Sequence, residues 1–196
     1  MADAGRVIAG TARGTRLMAP GSGTRPLGDR VKQALFGALE PMLPGAIVLD
    51  LFAGSGAAGI EALSRGASSA VFVEKDPAAA RVIADNLRRT GLAGSTATVV
   101  RANAATWVDD PSGGPFRIVI VDPPYADTEL LATVLARLGA ASFPLASDAA
   151  IVAKHFWRDE PPARIGLLAS GRVRRFGETA LTFYRRIDGP EEVPEA

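Results

Sequence analysis

The sequence predicts an α/β fold built on a largely parallel, Rossmann-like sheet, and three observations carry that reading. Short runs of strand formers alternate with segments of helical period. A glycine-rich turn follows the first of those strands. The fourth strand stops on Asp122-Pro123-Pro124-Tyr125 instead of ordinary loop residues. Alternating βα units imply parallel strands with helices on both faces. Ligands in such folds bind at the carboxyl ends of the strands, near the point where the strand order reverses.

Each element follows from its own residues. In residues 1–28, rich in Gly and Arg, Val7-Ile8 and Leu17-Met18 flank "AGTARGT", which reads as a small basic hairpin followed by the loop "APGSGTRPLG". A helix is expected from Asp29, taken as its N-cap, with Val31, Leu35 and Leu39 on one face and Pro41 and Pro44 ending it. "AIVLDLF" is a buried strand, "GAAGIEALSRG" a helix closed by Gly66, and "AVFVE" the second strand. Pro77 starts the next helix and Gly91 stops it. "ATVVRA" and "RIVIVD" are the third and fourth strands, and Leu130, Leu131, Val134, Leu135 and Leu138 mark a helix with an apolar stripe. "AAIVAKHF" is the fifth strand, and "GRVRRFGETALTFYRR" reads as an antiparallel pair turning at "FGET". The expectation is a seven-stranded, mostly parallel sheet with an antiparallel C-terminal strand and an N-terminal hairpin and helix extension. By domain, residues 1–28 form a basic arm, 29–188 the α/β domain, and 189–196 an acidic tail expected to be disordered.

Composition narrows the chemistry. The chain has 196 residues, 47% hydrophobic and 22% charged, which suits one ordinary globular domain. No apolar stretch approaches the roughly 20 residues of a membrane helix, and the first residues lack a signal-peptide layout, so a cytoplasmic location is expected. Cysteine is absent and His155 is the only histidine. That excludes disulfides, thiolate zinc sites and cysteine nucleophiles, and it argues against a histidine metal site or a Ser-His-Asp triad. No metal is expected, and the chemistry is left to carboxylates, backbone groups and a cofactor.

The net charge is only +1, but it is unevenly spread. Arg6, Arg13, Arg16, Arg25, Arg30 and Lys32 crowd the N-terminal segment, and Arg172, Arg174, Arg175, Arg185 and Arg186 form a second cluster. Such asymmetry points to nucleic acid as a partner, with plain solvated arginines as the alternative.

Gly54, Gly56 and Gly59 in "LDLFAGSGAAGIEAL" match G-x-G-x-x-G, and Glu74 follows Gly54 by twenty residues. That is the dinucleotide fingerprint, which alone does not separate NAD from other adenosine cofactors. Asp50 makes the distinction. A carboxylate at the strand end would repel a pyrophosphate placed against the helix N-terminus. It suits a cofactor with a cationic amino-acid part and no phosphates, and S-adenosyl-L-methionine is such a molecule. Glu74 could then accept both ribose hydroxyls. Asn103 is placed either to bond the adenine edge or to cap a loop.

The stretch "DPPY" presents acceptors beside an aromatic face. Prolines lack an N–H and fix φ, so Asp122 and the neighbouring carbonyls are held out of the ladder. Two N–H groups of an exocyclic base amine can point at the Asp122 carboxylate and the Pro123 carbonyl while Tyr125 stacks on the ring. Such acceptors favour rehybridisation of an otherwise delocalised amine and aim its lone pair at a methyl donor. Methylation at carbon-5 of a pyrimidine normally needs a cysteine adduct, which this chain does not supply.

Together, "LDLFAGSGAAGIEALSRGA", "VFVEKD" and "VDPPY" resemble the class I S-adenosylmethionine-dependent methyltransferases that act on exocyclic amines. With "RVIAGTARGTRL" and "RPLGDRVKQALFGAL", the chain resembles the RsmD family, which methylates N2 of a guanine in 16S rRNA. The resemblance runs from Arg6 to about Arg186. It implies that Asp50, Phe52, Ala53, Gly54, Ser55 and Gly56 line the methionine end of the cofactor. Glu74, with Lys75 and Asp76 beside it, would hold the ribose, and Asn103-Ala104 would border the adenine. Asp122, Pro123, Pro124 and Tyr125 would form the catalytic loop. The segments carrying Arg6, Arg13, Arg16, Arg25, Arg30 and Lys32 would bind rRNA, on the small ribosomal subunit or its precursor, with a monomeric enzyme expected. The chain departs from the family at Leu27, at Lys32-Gln33 and at Lys154-His155. Two other readings stay open: adenine-N6 methylation of DNA, and a non-catalytic RNA-binding assembly factor on the same scaffold.

Overall fold

The first strand of the sheet, Ile47–Leu51, alternates between two cores because its side chains point to opposite faces. Val48 joins Phe36, Ile60, Phe72 and Ile83 on one side, while Leu49 and Leu51 join Phe116, Val119, Leu131 and Leu135 on the other. In this computed structural model, which describes residues 3–21, 28–124 and 127–187, helices therefore cover both sheet faces.

The strands are β1 (Asp3–Arg6), β2 (Arg16–Met18), β3 (Ile47–Leu51), β4 (Ser69–Glu74), β5 (Ala97–Arg101), β6 (Phe116–Val121), β7 (Leu145–Phe156), β8 (Arg164–Ile165), β9 (Leu168–Phe176) and β10 (Thr179–Arg186). The helices are α1 (Asp29–Leu39), α2 (Ala57–Ser64), α3 (Pro77–Thr90), α4 (Ala104–Trp107) and α5 (Thr128–Leu138), with a 3-10 turn over Glu40–Met42. The large sheet has the order β5-β4-β3-β6-β7-β10-β9-β8. Strands β3 to β7 pair in parallel, and β10 pairs antiparallel with both β7 and β9. The order turns around between β3 and β6, so the crevice above that pair is where a ligand is expected.

The seven expected strands are present, and an eighth is added at the edge. The extra strand, β8, has two residues, too few for any periodic signal. Helix α1 begins as expected, but Gly28 is its N-cap and makes no side-chain cap bond, so Asp29 is the first helical residue and not the cap. Asp76 does cap α3 with its carboxylate, followed by Pro77, and Gly91 closes that helix in the left-handed conformation.

The N-terminal hairpin is shifted and is not a free arm. Strand β1 lies at Asp3–Arg6, ahead of Val7-Ile8, and Val7, Ala12 and Leu17 are buried in the same core as Phe36 and Ile60. Buried polar side chains from the helices hold its backbone. Glu61 accepts the Ile8 and Ala9 N–H groups at 2.8 and 3.0 Å. Ser64 Oγ accepts the Ala12 N–H and donates to the Ala9 carbonyl. Asn86 exchanges two hydrogen bonds with the backbone of Met18 and donates a third to the Ser55 carbonyl, which ties the hairpin to the glycine loop. A Cβ on Gly10 would lie 1.7 Å from the Ser64 carbonyl oxygen, so only glycine permits this contact. Buried backbone groups need partners, and here side chains supply them where no sheet does.

Candidate functional site

The glycine loop is shaped by three glycines with three separate duties. Gly54 (φ 55°) turns the chain, and its N–H donates to Glu74 Oε2 at 2.8 Å. Gly56 (φ 76°) is the left-handed N-cap of α2. Gly59 lets α2 lie against β4, because a Cβ there would meet the Phe72 ring at 2.3 Å. Just before them, Phe52 has φ 62°, a conformation that costs a non-glycine residue roughly 1–3 kcal/mol and clusters at functional sites.

Above this loop lies a cavity of about 350 Å³. Asp50 and Glu74 form its acidic floor, with Phe52, Ala53, Gly54 and Ser55 along the loop and Lys75 and Ala104 at the far side. Asp122, Pro123 and Pro124 complete the rim with Lys154, and Ala4, Ala19 and Pro20 of the N-terminal segment close one wall.

The three carboxylates are held differently. Asp50 is buried and accepts the Gly59 N–H at 2.8 Å. Its pKa is pushed up to about 8, first by burial and further by the charges of Asp122 and Glu74, against the lowering effect of the Gly59 bond. Among the described residues it has no ion-pair partner. Glu74 spends one acceptor site per oxygen on the backbone, taking Gly54 N–H at Oε2 and Asp76 N–H at Oε1, each 2.8 Å. A carboxylate has about four such sites, so two are left for a ligand. Asp122 is pushed above the usual carboxylate range by burial, while the Lys154 ammonium, 2.6 Å from Oδ1, pulls it back down.

A second cavity, about 320 Å³, lies behind the same loop. It shares Pro123, Pro124 and Lys154 with the first and is otherwise lined by residues such as Leu131, His155 and Phe156. Pro123, Pro124 and Lys154 therefore form the wall common to both cavities; Asp122 lines the first one only, and the second has Asp127, Asp159 and Glu160 in its own lining. His155 is structural: Nε2 lies 2.8 Å from Thr182 Oγ1 and Nδ1 2.8 Å from the Phe156 carbonyl oxygen.

The residues singled out from the sequence divide into groups. Asp50, Phe52, Ala53, Gly54, Ser55, Glu74, Lys75, Ala104, Asp122, Pro123 and Pro124 all line the first cavity. Gly56 shapes the loop without lining it. Asp76 and Asn103 act as helix caps: Asp76 accepts the Ala78 N–H and Asn103 accepts the Ala105 N–H at 3.0 Å. Asn103 is exposed, lies outside the cavity lining and uses Oδ1 for this cap. Tyr125 and Arg25 lie outside the described residues, as does the whole acidic tail, 189–196. Arg6, Arg13, Arg16 and Arg30 are exposed, with Arg6 paired to Asp29 and Arg16 to Asp3.

Lys32 corrects an expectation. It is fully buried, its ammonium donates to the Arg6 carbonyl at 2.8 Å, and burial lowers its pKa. It fastens the hairpin from inside and offers nothing to a nucleic acid. Lys154, Asn86 and the hairpin wall were not singled out as site residues. Asn86 had a signal, being the polar residue beside Ile83 and Leu87 on the buried face of α3.

Residues 5–185 match the family described as conserved hypothetical protein 95. The chain belongs to this family. Bacillus subtilis YlbH is 38% identical over 184 residues, covering 92% of this chain and 98% of that protein. Ribosomal RNA small subunit methyltransferase D of Escherichia coli K12 is 45% identical over 121 residues, 61% of this chain and 60% of that one. Among solved structures, Escherichia coli yhhF has a TM-score of 0.82 at 35% identity, covering 93% of this chain and 97% of that one. The Salinibacter ruber RNA methyltransferase, solved with S-adenosyl-L-homocysteine, shares the fold at a TM-score of 0.62 and 15% identity, covering 87% of this chain and all of that one. The family and its class I methyltransferase fold are thus established for this chain.

The cavity suits S-adenosyl-L-methionine on its own chemistry. Asp50 and Glu74, at the ends of β3 and β4, have no ion-pair partner among the described residues and already hold the Gly59 and Gly54 N–H groups, so they form a poor seat for phosphates. They form a good seat for an adenosine bearing a positive charge. Among the described residues no group of three or more potential ligands could hold a metal ion, and no helix is long and apolar enough to cross a membrane.

Proposed function

We propose that this chain transfers a methyl group from S-adenosyl-L-methionine to the exocyclic N2 of a guanine in 16S rRNA, on the small ribosomal subunit or its precursor. One observation carries the reading: Asp122 lines a cavity fit for a cationic adenosine cofactor, and Pro123 and Pro124, directly after it, line both that cavity and a second one of a size to admit a base. The name carried by the Escherichia coli relative supports rRNA as the substrate class.

The bound cofactor would supply a methyl group on a sulfonium. The chain's own residues would do the rest. Asp50 would face the cofactor's cationic end, and Glu74 its ribose. At the Pro123-Pro124 wall that the two cavities share, Asp122 Oδ2 and the Pro123 carbonyl would accept the two N–H groups of the guanine amine. Lys154 keeps Oδ1 occupied and favours the ionised form, so Asp122 meets the amine as an acceptor and can take the proton released after transfer. Positioning provides most of the rate, since the aligned amine no longer has to find the methyl from solution. The base has to leave its stack to enter, which costs least in a loop or bulge.

The test is product identification. Protein with methyl-labelled cofactor is offered unmodified small subunits, naked 16S rRNA and unmethylated DNA, and the products are digested to nucleosides. Label in N2-methylguanosine from subunits is the expected result. Label in N6-methyladenine from DNA would mean that the site chemistry holds and the partner is wrong. No label in any nucleoside, with cofactor bound, would favour the non-catalytic assembly factor.

A further inference from the structure

We infer that the outer end of the sheet, around Trp157, is a second RNA-contact surface, one that takes the unpaired nucleotides flanking the target base. This rests on the rRNA reading above.

Position comes first. Strands β7 and β9 both run antiparallel to β10, so they run in the same direction. Phe156, Thr179 and Phe176 form one row across the three strands. Trp157, one residue past β7, therefore lies at the same sheet end as Asp50 and Asp122. Its neighbour Phe156 lines the second cavity beside Pro124, so a strand leaving that cavity would reach Trp157 next.

The chemistry there is that of a stacking platform. The Arg175 guanidinium lies 3.5 Å from the Trp157 ring centroid and that of Arg158 lies 4.9 Å from it. The assembly is held in place, because the Trp157 backbone N–H donates to the Glu178 carbonyl at 3.0 Å and Arg175 Nε donates to the Gly177 carbonyl at 2.9 Å. Both arginines are exposed, and neither has an ion-pair partner among the described residues. A guanidinium plane resting on an indole can stack a base on its outer face while its rim N–H groups reach a phosphate.

The surroundings favour a polyanion. Strand β9 pairs with β8 only through Leu168 and Ala169. Its outer edge from Gly171 to Phe176 is unpaired among the described residues and carries Arg172, Arg174 and Arg175. Val173, 43% exposed, is the exposed large hydrophobic residue of the described chain and belongs to this strand. The nearby acids Asp159 and Glu160 line the second cavity, and Glu178 is in the β9–β10 turn. Arginines can guard a sheet edge against pairing, but edge protection needs no indole beneath them.

The experiment compares wild type with Arg158→Gln plus Arg175→Gln and, separately, Trp157→Ala. Binding is measured on RNA oligonucleotides carrying the target loop with full or trimmed flanks, at several salt concentrations. For the double variant, affinity for the flanked RNA should fall about tenfold, and the salt slope by about 1.4, at about 0.7 per lost single-strand phosphate contact. The KM for RNA should rise with kcat kept, trimmed RNA should be bound as by wild type, and cofactor affinity by calorimetry should be unchanged, which excludes misfolding. Equal loss on both RNAs, or no loss on either, would overturn the inference. If wild type methylates RNA and the variants match it, only this surface fails. If wild type neither binds nor methylates RNA, the rRNA reading fails and this surface with it.

Discussion

Asp50 and Asp122 end neighbouring parallel strands at the same edge of the sheet, and both are pushed up by burial. They differ in what answers their charge. Asp122 has the Lys154 ammonium at 2.6 Å, whereas Asp50 has a single backbone N–H and faces two further carboxylates. An acid with an internal counter-ion is ready to act as an acceptor in the free protein. An acid without one is completed only when a cation arrives. On the function proposed above, the presence or absence of one lysine would divide the same residue type between two tasks, catalysis at Asp122 and cofactor recognition at Asp50.

The largest effect that tests this division is expected at Asp122. Asp122→Asn keeps the shape and removes the charge. Methyl transfer should fall by at least about a hundredfold, the usual scale for a lost positioned acid or base. Cofactor affinity, read by calorimetry, should stay or improve slightly, because one of the charges raising Asp50 is gone. Parallel loss of both would place Asp122 in cofactor binding and erase the contrast.

Asp50 gives the next largest effect and a sign that can be checked. Its folded pKa of about 8 stands above the ordinary carboxylate value of 3.8, so a cofactor that requires the carboxylate must displace a proton near pH 7. Calorimetry in buffers of different ionisation heat should show release approaching one proton per cofactor. Asp50→Asn should weaken binding roughly ten- to hundredfold, as for a lost hydrogen bond to a charged group, and abolish the proton release. In the free protein the raised pKa contributes stability that is fully present below about pH 4 and is lost as pH rises toward 8. The slope approaches about 1.4 kcal/mol per pH unit. Denaturant titrations should find that decline flattened in Asp50→Asn and by saturating cofactor. A decline that survives both would assign it to another group.

The sequence made some of these features legible and hid others for physical reasons. Periodicity exposed the strands and helices of the large sheet because each has one or two apolar faces, and glycine spacing located the loop that lines the first cavity. The acids at the ends of β3 and β6 were visible because a charge beside a buried run is conspicuous. What decides between them was hidden: Lys154 is thirty-two residues from Asp122 in sequence, and only the parallel pairing of β6 with β7 joins them. Lys32 failed in the opposite way. Counted with the arginines it looked like part of a basic surface, but its place near Leu35, Phe36 and Leu39 on the buried side of α1 turns it inward. Glu61 resembles it, a buried acid in α2 that receives the Ile8 and Ala9 N–H groups from 53 and 52 residues away in sequence. Charge counts report how many ions a segment has; the helical face reports which of them reach solvent.

The smallest effect, and the one closest to the contrast itself, is expected from Lys154→Met. Without the ammonium, burial alone acts on Asp122 and its pKa moves further up. At neutral pH a larger share of the enzyme then holds a protonated, poorly accepting Asp122, and kcat should fall about tenfold. The loss should be recovered as pH rises, with the acidic limb of the rate profile displaced upward, and Lys154→Arg should restore most of the neutral-pH rate. A lysine that merely packed the partition between the two cavities would lower the rate equally at every pH, and arginine, larger and differently shaped, would not repair it. If the profile keeps its position, Asp122 does not depend on Lys154 for its charge. The two aspartates would then differ in place but not in kind.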